Sequence, residues 1–427
     1  MDHVKNLKWS LIGIAALSVA LTGCGSSNDS SGSVSLRVAN ATLTHPSLDL
    51  LVNSVNLASA TAADTVSAYV APASGGNTLQ LNDAGGATAL ATTVPTLAGG
   101  LHYTLLAYES GGNVKTAILP EDIVAPTAAG VATLRIYDAA IEAGKLDVYV
   151  TTNVCTNLSG ISSTANFGVL TAPQAVSLAQ GVGSYNVCVT GQGSKTDLRM
   201  SLPITVASQQ VATVLLTPAA GGVLLNGSML VQQSTYTAVR NTNVRVRLAA
   251  AVSGGGIVAA SAGSLPISGG AAPALGSYAL VPASSPLNIS VNGNSVGAPA
   301  TPLVAGSDVT LLVYGNAAAA TASLLTDDNR PPTDSSTVKL RLINGITGTT
   351  GALTMTANAS VVGSTIAAGS ASDYAAVPGS ANAMNLTLYL TTVAGVYGPP
   401  NSATFSANTV YTVLVGGDVS APQVVIR

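Results

Sequence analysis

Charge is scarce in this chain: Asp, Glu, Lys and Arg make up 8% of 427 residues, about a third of the usual share. A formal net charge of −3 offers no basic stripe, so no nucleic-acid partner is expected. Aromatic residues are 4%, with two Phe and one Trp, which leaves none of the interfacial girdles of a membrane barrel. Of three histidines, only His45 and His102 lie outside the first thirty residues. They are read as two loop histidines, too few for zinc. The three cysteines include no Cys-x-x-Cys pair, which disfavours a redox motif. Gly191-Gln192-Gly193-Ser194-Lys195-Thr196 lacks the spacing of a phosphate loop and reads as a hairpin turn. Long apolar runs are missing too: only Trp9 to Leu21 is continuous, short of a membrane span. No catalytic constellation is recognised, and the chain is expected to be a non-enzyme without cofactors.

Glycine and proline are abundant instead, 44 and 20 residues, and they punctuate the chain too often for long helices. Between them lies Ala- and Val-rich sequence interleaved with Thr, Ser and Asn, suited to pleated, half-buried surface. One five-residue pattern recurs four times: Val34-Ser35-Leu36-Arg37-Val38, Ala132-Thr133-Leu134-Arg135-Ile136, Val244-Arg245-Val246-Arg247-Leu248 and Val338-Lys339-Leu340-Arg341-Leu342. Side chains in a strand alternate between faces, so the apolar positions enter a core and the arginine stays wet. The copies stand about 100 residues apart, the length of a small sandwich domain. A buried-strand pattern follows in each repeat, as in Tyr103–Tyr108 and Val309–Tyr314. A Tyr-bearing segment lies mid-repeat in Ser67–Pro72, Ser277–Pro282 and Asp373–Pro378. The expectation is an all-β chain of four tandem immunoglobulin-like antiparallel β-sandwich domains, over 34–122, 131–227, 243–328 and 337–427. The boundary after the second is blurred by Val223-Leu224-Leu225. Proline-containing linkers predict an extended string.

The first residues suggest an address. Lys5 and Lys8 precede the apolar run, which ends in Leu21-Thr22-Gly23-Cys24. This resembles the lipobox of bacterial lipoproteins. The resemblance implies a signal peptide over 1–23, lipidation of Cys24 and a flexible tether over 24–33. Several acyl chains anchor stably at about 0.8 kcal/mol per buried methylene. Gly25 rather than aspartate after the cysteine favours the outer membrane. The membrane is then a partner through the N-terminal lipid, and the chain is expected to be a monomer in the cell envelope. In that oxidising setting Cys155 and Cys188 are expected to form a structural disulfide.

Leu325-Thr326-Asp327-Asp328-Asn329 followed by Val338 to Asn344, with Leu146-Asp147-Val148-Tyr149-Val150 and Leu48-Asp49-Leu50-Leu51-Val52-Asn53, resembles a bacterial family described as domain of unknown function 4397. The third repeat departs from it: Gly254-Gly255-Gly256-Ile257-Val258 lacks the Asp-bearing strand. The resemblance implies an exported, immunoglobulin-like sandwich and no assigned activity.

Three sets of residues are candidates for more than packing. Asp327 and Asp328, like Glu121 and Asp122, sit at linkers where calcium could stiffen tandem domains, although calcium wants six to eight oxygens. Tyr69, Tyr278 and Tyr374 could form a carbohydrate-stacking row, or pack at sheet ends with their hydroxyls in water. Asp49 and Asp147 could pair with Arg37 and Arg135 across a hairpin. The fourth repeat shows Thr354 at the aspartate position, so such pairing cannot explain all four arginines. The functional expectation is a lipid-anchored spacer or adhesive rod that touches protein or glycan at the cell surface. A polymer-binding module and a calcium-stiffened adhesin are the alternatives.

Overall fold

Strict alternation in the five-residue motif gives a strand with one apolar face, and in each copy that face meets a second sheet. A computed structural model describes residues 32–348, 352–379, 386–390, 396–397 and 403–427. The signal peptide, Cys24 and most of the tether lie outside the described residues. Those described are strands and turns, with a single 3-10 turn at Ile141–Ala143 and no α-helix. Four hydrophobic cores occur, each closed by two sheets and built on the alternate apolar residues of the repeated motif. Leu36, Leu134, Val246 and Leu340 are fully buried in them. The surrounding segments are called units 1 to 4 below.

All four units share one topology. The first strand is Ser35–Asn40, Val131–Asp138, Asn243–Ser253 or Thr337–Thr347. It pairs in parallel with the penultimate strand of the common pattern: His102–Ser110, Val211–Pro218, Asp308–Asn316 or Val410–Asp418. A return strand then runs antiparallel beside that partner: Asn113–Pro120, Leu225–Val231, Ala319–Asp327 or Ala421–Ile426. The parallel pair refines the antiparallel expectation, and among the described residues the other ladders are antiparallel, as in the second sheets. It is possible because the chain builds the opposite sheet before it comes back, a crossover far longer than a hairpin.

Unit 2 adds one element. Beyond its return strand, Tyr236–Val239 pairs antiparallel with it. The unit's sheet therefore runs to Val239, past residue 227, because Val223-Leu224-Leu225 leads into the return strand rather than into a linker. Val239 lies level with Gly227, which lies level with Leu216. The chain thus leaves unit 2 at the end opposite to where it came in. In units 1 and 3 the return strand ends level with the start of the first strand, one strand away.

The units are not strung out. Outer faces of the first sheets of units 1 and 2 pack together through Ala39, Leu106, Tyr108, Ala139, Leu215 and Leu230. Those of units 3 and 4 do so through Ala249, Ala251, Leu312, Ile343 and Leu414. The extended string expected from proline-containing linkers is therefore replaced by two back-to-back pairs. A linker's stiffness is overridden once both neighbours carry an apolar outer stripe that water would otherwise cover.

Candidate functional site

Back-to-back packing decides the fate of the repeated arginines. Arg37, Arg247 and Arg341 are 4%, 4% and 2% exposed, so the expectation that they stay wet is wrong. They do point away from their own cores, as alternation requires, but the outer face they occupy is covered by the neighbouring unit. Arg135 is the one of the four that is only partly buried.

Between units 1 and 2, Arg37 grips Glu121 at the end of the return strand with two bonds, Nε to Oε1 at 3.0 Å and Nη2 to Oε2 at 2.6 Å. Thr104, directly opposite Arg37 in the parallel ladder, accepts from the same Nε at 3.0 Å and donates to Glu121. Unit 2 closes the site: Arg37 Nη1 donates to the Ser234 carbonyl at 2.7 Å and the Gln233 amide donates to Glu121 at 2.5 Å. Tyr69 lays its ring over the guanidinium, 4.8 Å away.

The same parts recur between units 3 and 4. Asp327 ends the return strand and is 1% exposed. It accepts from Thr310 Oγ1 at 2.6 Å and from the Tyr278 hydroxyl at 2.5 Å. Arg341 of unit 4 reaches it as an ion pair at 2.6 Å, and Arg247 of unit 3 stands 3.6 Å away. Arg247 also donates to Thr310 at 2.8 Å and across the interface to Thr412 at 2.7 Å. Tyr278 covers Arg247 and Arg245 at 4.8 and 4.5 Å, and Tyr374 covers Arg341 at 5.0 Å. Burial, then the Asp327 charge, hold the Tyr278 hydroxyl well above its ordinary range. It remains a neutral donor. Burial and Asp327 likewise push Tyr374 up to about 12.

A third cluster joins the pairs. Arg245 meets Asp308 of its own unit at 2.8 Å and Asp197 of unit 2 at 3.1 Å. Asp197 also holds Arg199 at 2.6 Å. Gly222 of unit 2 packs directly against Asp308, where an added Cβ would stand 2.4 Å from the carboxyl carbon.

These contacts redistribute the candidates. Asp327 and Asp328 face cations rather than sharing one: Asp328 pairs with Arg330 at 2.7 Å and Lys339 at 2.9 Å. Tyr69, Tyr278 and Tyr374 do not form an open row, since each gives a ring face to a guanidinium and Tyr278 bonds its hydroxyl inside the protein. Asp49 and Asp147 do not meet the arginines, because they lie in the opposite sheet. Asp49 instead accepts from the amides of Ala60 at 2.7 Å and Gly85 at 2.9 Å, and those bonds hold its carboxyl below the usual range. Asp147 accepts from Asn166 at 2.6 Å and the Gly193 amide at 2.8 Å. Thr354 accepts from the Thr365 amide at 3.2 Å. Ala60 and Thr365 both have positive φ beside a shift of strand register. In unit 1 the second-strand aspartate, Asp49, thus caps a β-bulge, and in unit 4 Thr354 takes its place.

His45 and His102 pair with Asp83 at 2.7 Å and Asp122 at 3.1 Å. A Gly-x-Ser-x-Gly string runs from Gly293 to Gly297. It forms a hairpin between Leu287–Val291 and Asn294–Val296, not the strand–turn–helix of a nucleophile elbow. Cys155 and Cys188 are joined, their Cα atoms 5.4 Å apart. Among the described residues, no group of three or more His, Cys, Asp or Glu could hold a metal ion.

Residues 34–149 match the family model for the domain of unknown function DUF4397, which supports the resemblance over unit 1 and the first two strands of unit 2. No curated protein matches the chain. Among solved structures, the Bacillus anthracis TIE protein aligns over 92% of this chain and 69% of its own, with 10% identity and a TM-score of 0.13. So slight a likeness carries no argument.

Proposed function

We propose that this protein is a non-enzymatic, lipid-anchored scaffold of the cell envelope, attached through Cys24 to the outer membrane and presenting sandwich loops to protein partners. The observation that carries the reading is the set of buried arginine clusters between units. Several of the chain's few charges join one sandwich to the next, as befits a molecule whose task is to hold a shape. Loops at the sandwich ends provide the variable contact surface. The lipobox resemblance supports the anchor, and the Cys155–Cys188 disulfide fits an oxidising compartment.

Two measurements test this. Cys24→Ser is expected to move the protein from the membrane fraction to the soluble one; retention in the membrane would remove the anchor. Protease shaving of intact cells, followed with an antibody to unit 4, is expected to degrade that unit. Its protection would remove the surface-contact role and leave a periplasmic scaffold.

A further inference from the structure

Arg135 is the arginine whose cluster is incomplete. In units 1, 3 and 4 the residue opposite the arginine on the neighbouring antiparallel segment is Tyr69, Tyr278 or Tyr374, as the flanking pairs Leu36–Val70, Val246–Ala279 and Leu340–Ala375 fix. In unit 2 that place belongs to Ser177. The acid is missing as well. Glu121 and Asp327 stand two residues beyond Leu119 and Leu325, which face Thr104 and Thr310. In unit 2 the equivalent Leu230 faces Thr213 and is followed at that spacing by Gln232, whose amide is tied to Ile123 in both directions at 3.0 Å. Arg135 Nη1 has no hydrogen-bond partner among the described residues, while the side chain as a whole stays partly exposed. Burial pulls its guanidinium below the usual range.

A second observation points to what completes it. Gln174–Gly181, which carries Ser177, is an edge strand of its sheet. It is eight residues long and has neither charge nor proline, the devices that normally guard an edge. The Val182 amide donates to the Gly130 carbonyl at 3.1 Å. By parity, Gln174, Val176, Leu178 and Gln180 turn their amides toward the first strand. Ala175, Ser177, Ala179 and Gly181 turn theirs to the open side, and all four are exposed.

We propose that this free edge and Arg135 together form a strand-addition site for an extended protein segment carrying a glutamate or aspartate opposite Ser177. An added strand would lie about 10 Å from the first strand, two inter-strand spacings away. Over the small Ser177, an arginine and an acidic side chain span that gap. The molecule already completes one arginine from outside its own unit: Arg341 takes its carboxylate from unit 3. A second copy pairing edge to edge would bring a strand without charge, so the partner must be another segment that brings the acid. Main-chain bonds supply the attachment and the ion pair the register.

The test uses the full chain in solution, so it does not depend on the anchor. The probe is a synthetic alternating Thr/Val peptide with one central glutamate, read by fluorescence anisotropy and amide hydrogen exchange. Saturable binding is expected, with new protection at the amides of Ala175, Ser177 and Ala179. Replacing the peptide's glutamate by glutamine, or making Arg135→Gln, should weaken binding by about tenfold or more. Ala179→Pro should abolish it without removing an internal ladder bond, and Ser177→Tyr should block it by restoring the lid found in the other units. Each variant's melting curve checks its fold. No saturation at about 1 mM peptide, protection on another strand, or unchanged affinity in Arg135→Gln or Ala179→Pro would overturn the proposal.

Discussion

Asp327 neutralises one of two buried guanidiniums, and removing its charge leaves both uncompensated. Breaking such a pair costs about 3–5 kcal/mol, so Asp327→Asn should lower the urea midpoint for units 3 and 4 by that equivalent. Asp138 presents the opposite case. It stands where Asn40 and Asn344 stand, three residues after the motif arginine, and all three accept the amide two residues on: Thr42, Ala140 and Ile346 at 3.1, 2.8 and 3.1 Å. The asparagines donate Nδ2 to carbonyls at Thr61 and Ile366, whereas Asp138 Oδ2 has no hydrogen-bond partner among the described residues. Burial pushes its carboxyl from 3.8 up to about 6. A raised folded value means the folded state binds this proton more tightly than the unfolded one. The contribution is present in full below 3.8 and is lost as pH rises through 6, a difference of about 3 kcal/mol. Stability is expected to rise between pH 7 and pH 5 in denaturant titrations. Asp138→Asn should remove that rise and stabilise the protein at pH 7. A flat wild-type profile would contradict the assignment.

At the scale of elements, close approach of backbones adds to charge in holding neighbouring units together. Ala251 sits on Gly345 and Gly416 across the interface of units 3 and 4, where added Cβ atoms would stand 2.3 and 2.9 Å from its own. Gly416→Val should force the sheets apart at a cost of about 1–3 kcal/mol and expose the 328–336 linker to limited proteolysis. In unit 2 the disulfide closes a 33-residue separation, worth about 3–4 kcal/mol by loop entropy. Cys155→Ala with Cys188→Ala should lower that unit's melting midpoint and leave units 3 and 4 unchanged. The strands themselves were legible, because alternation and turn residues are local. The caps on the β-bulges were not: Asp49 and Thr354 do one job with different chemistry, and only the backbone geometry of Ala60 and Thr365 reveals it. The parallel partner was also hidden, since periodicity says which face is buried and nothing about the neighbour's direction.

For the whole molecule, the direction of exit governs shape. Units 1 and 3 release the chain where they received it, so the next unit begins alongside and can pack back to back. Tyr236–Val239 reverses that in unit 2 and sets the start of unit 3 on its far end, where Gly222 meets Asp308. Small-angle scattering should therefore show a particle two sandwiches wide and two long, and a profile four sandwiches long would refute the paired arrangement. The sequence pattern hid this because an arginine on an outer face reads the same whether water or another sheet covers it. The parallel pairing of first and penultimate strands also sets the order of assembly. Arg37 and Thr104 are 67 residues apart, and Arg247 and Thr310 are 63. A first strand leaving the ribosome must wait for nearly a whole unit before its own partner arrives. Four such strands share one alternating pattern, so capture by the wrong unit's partner is the characteristic misfolding hazard of this chain.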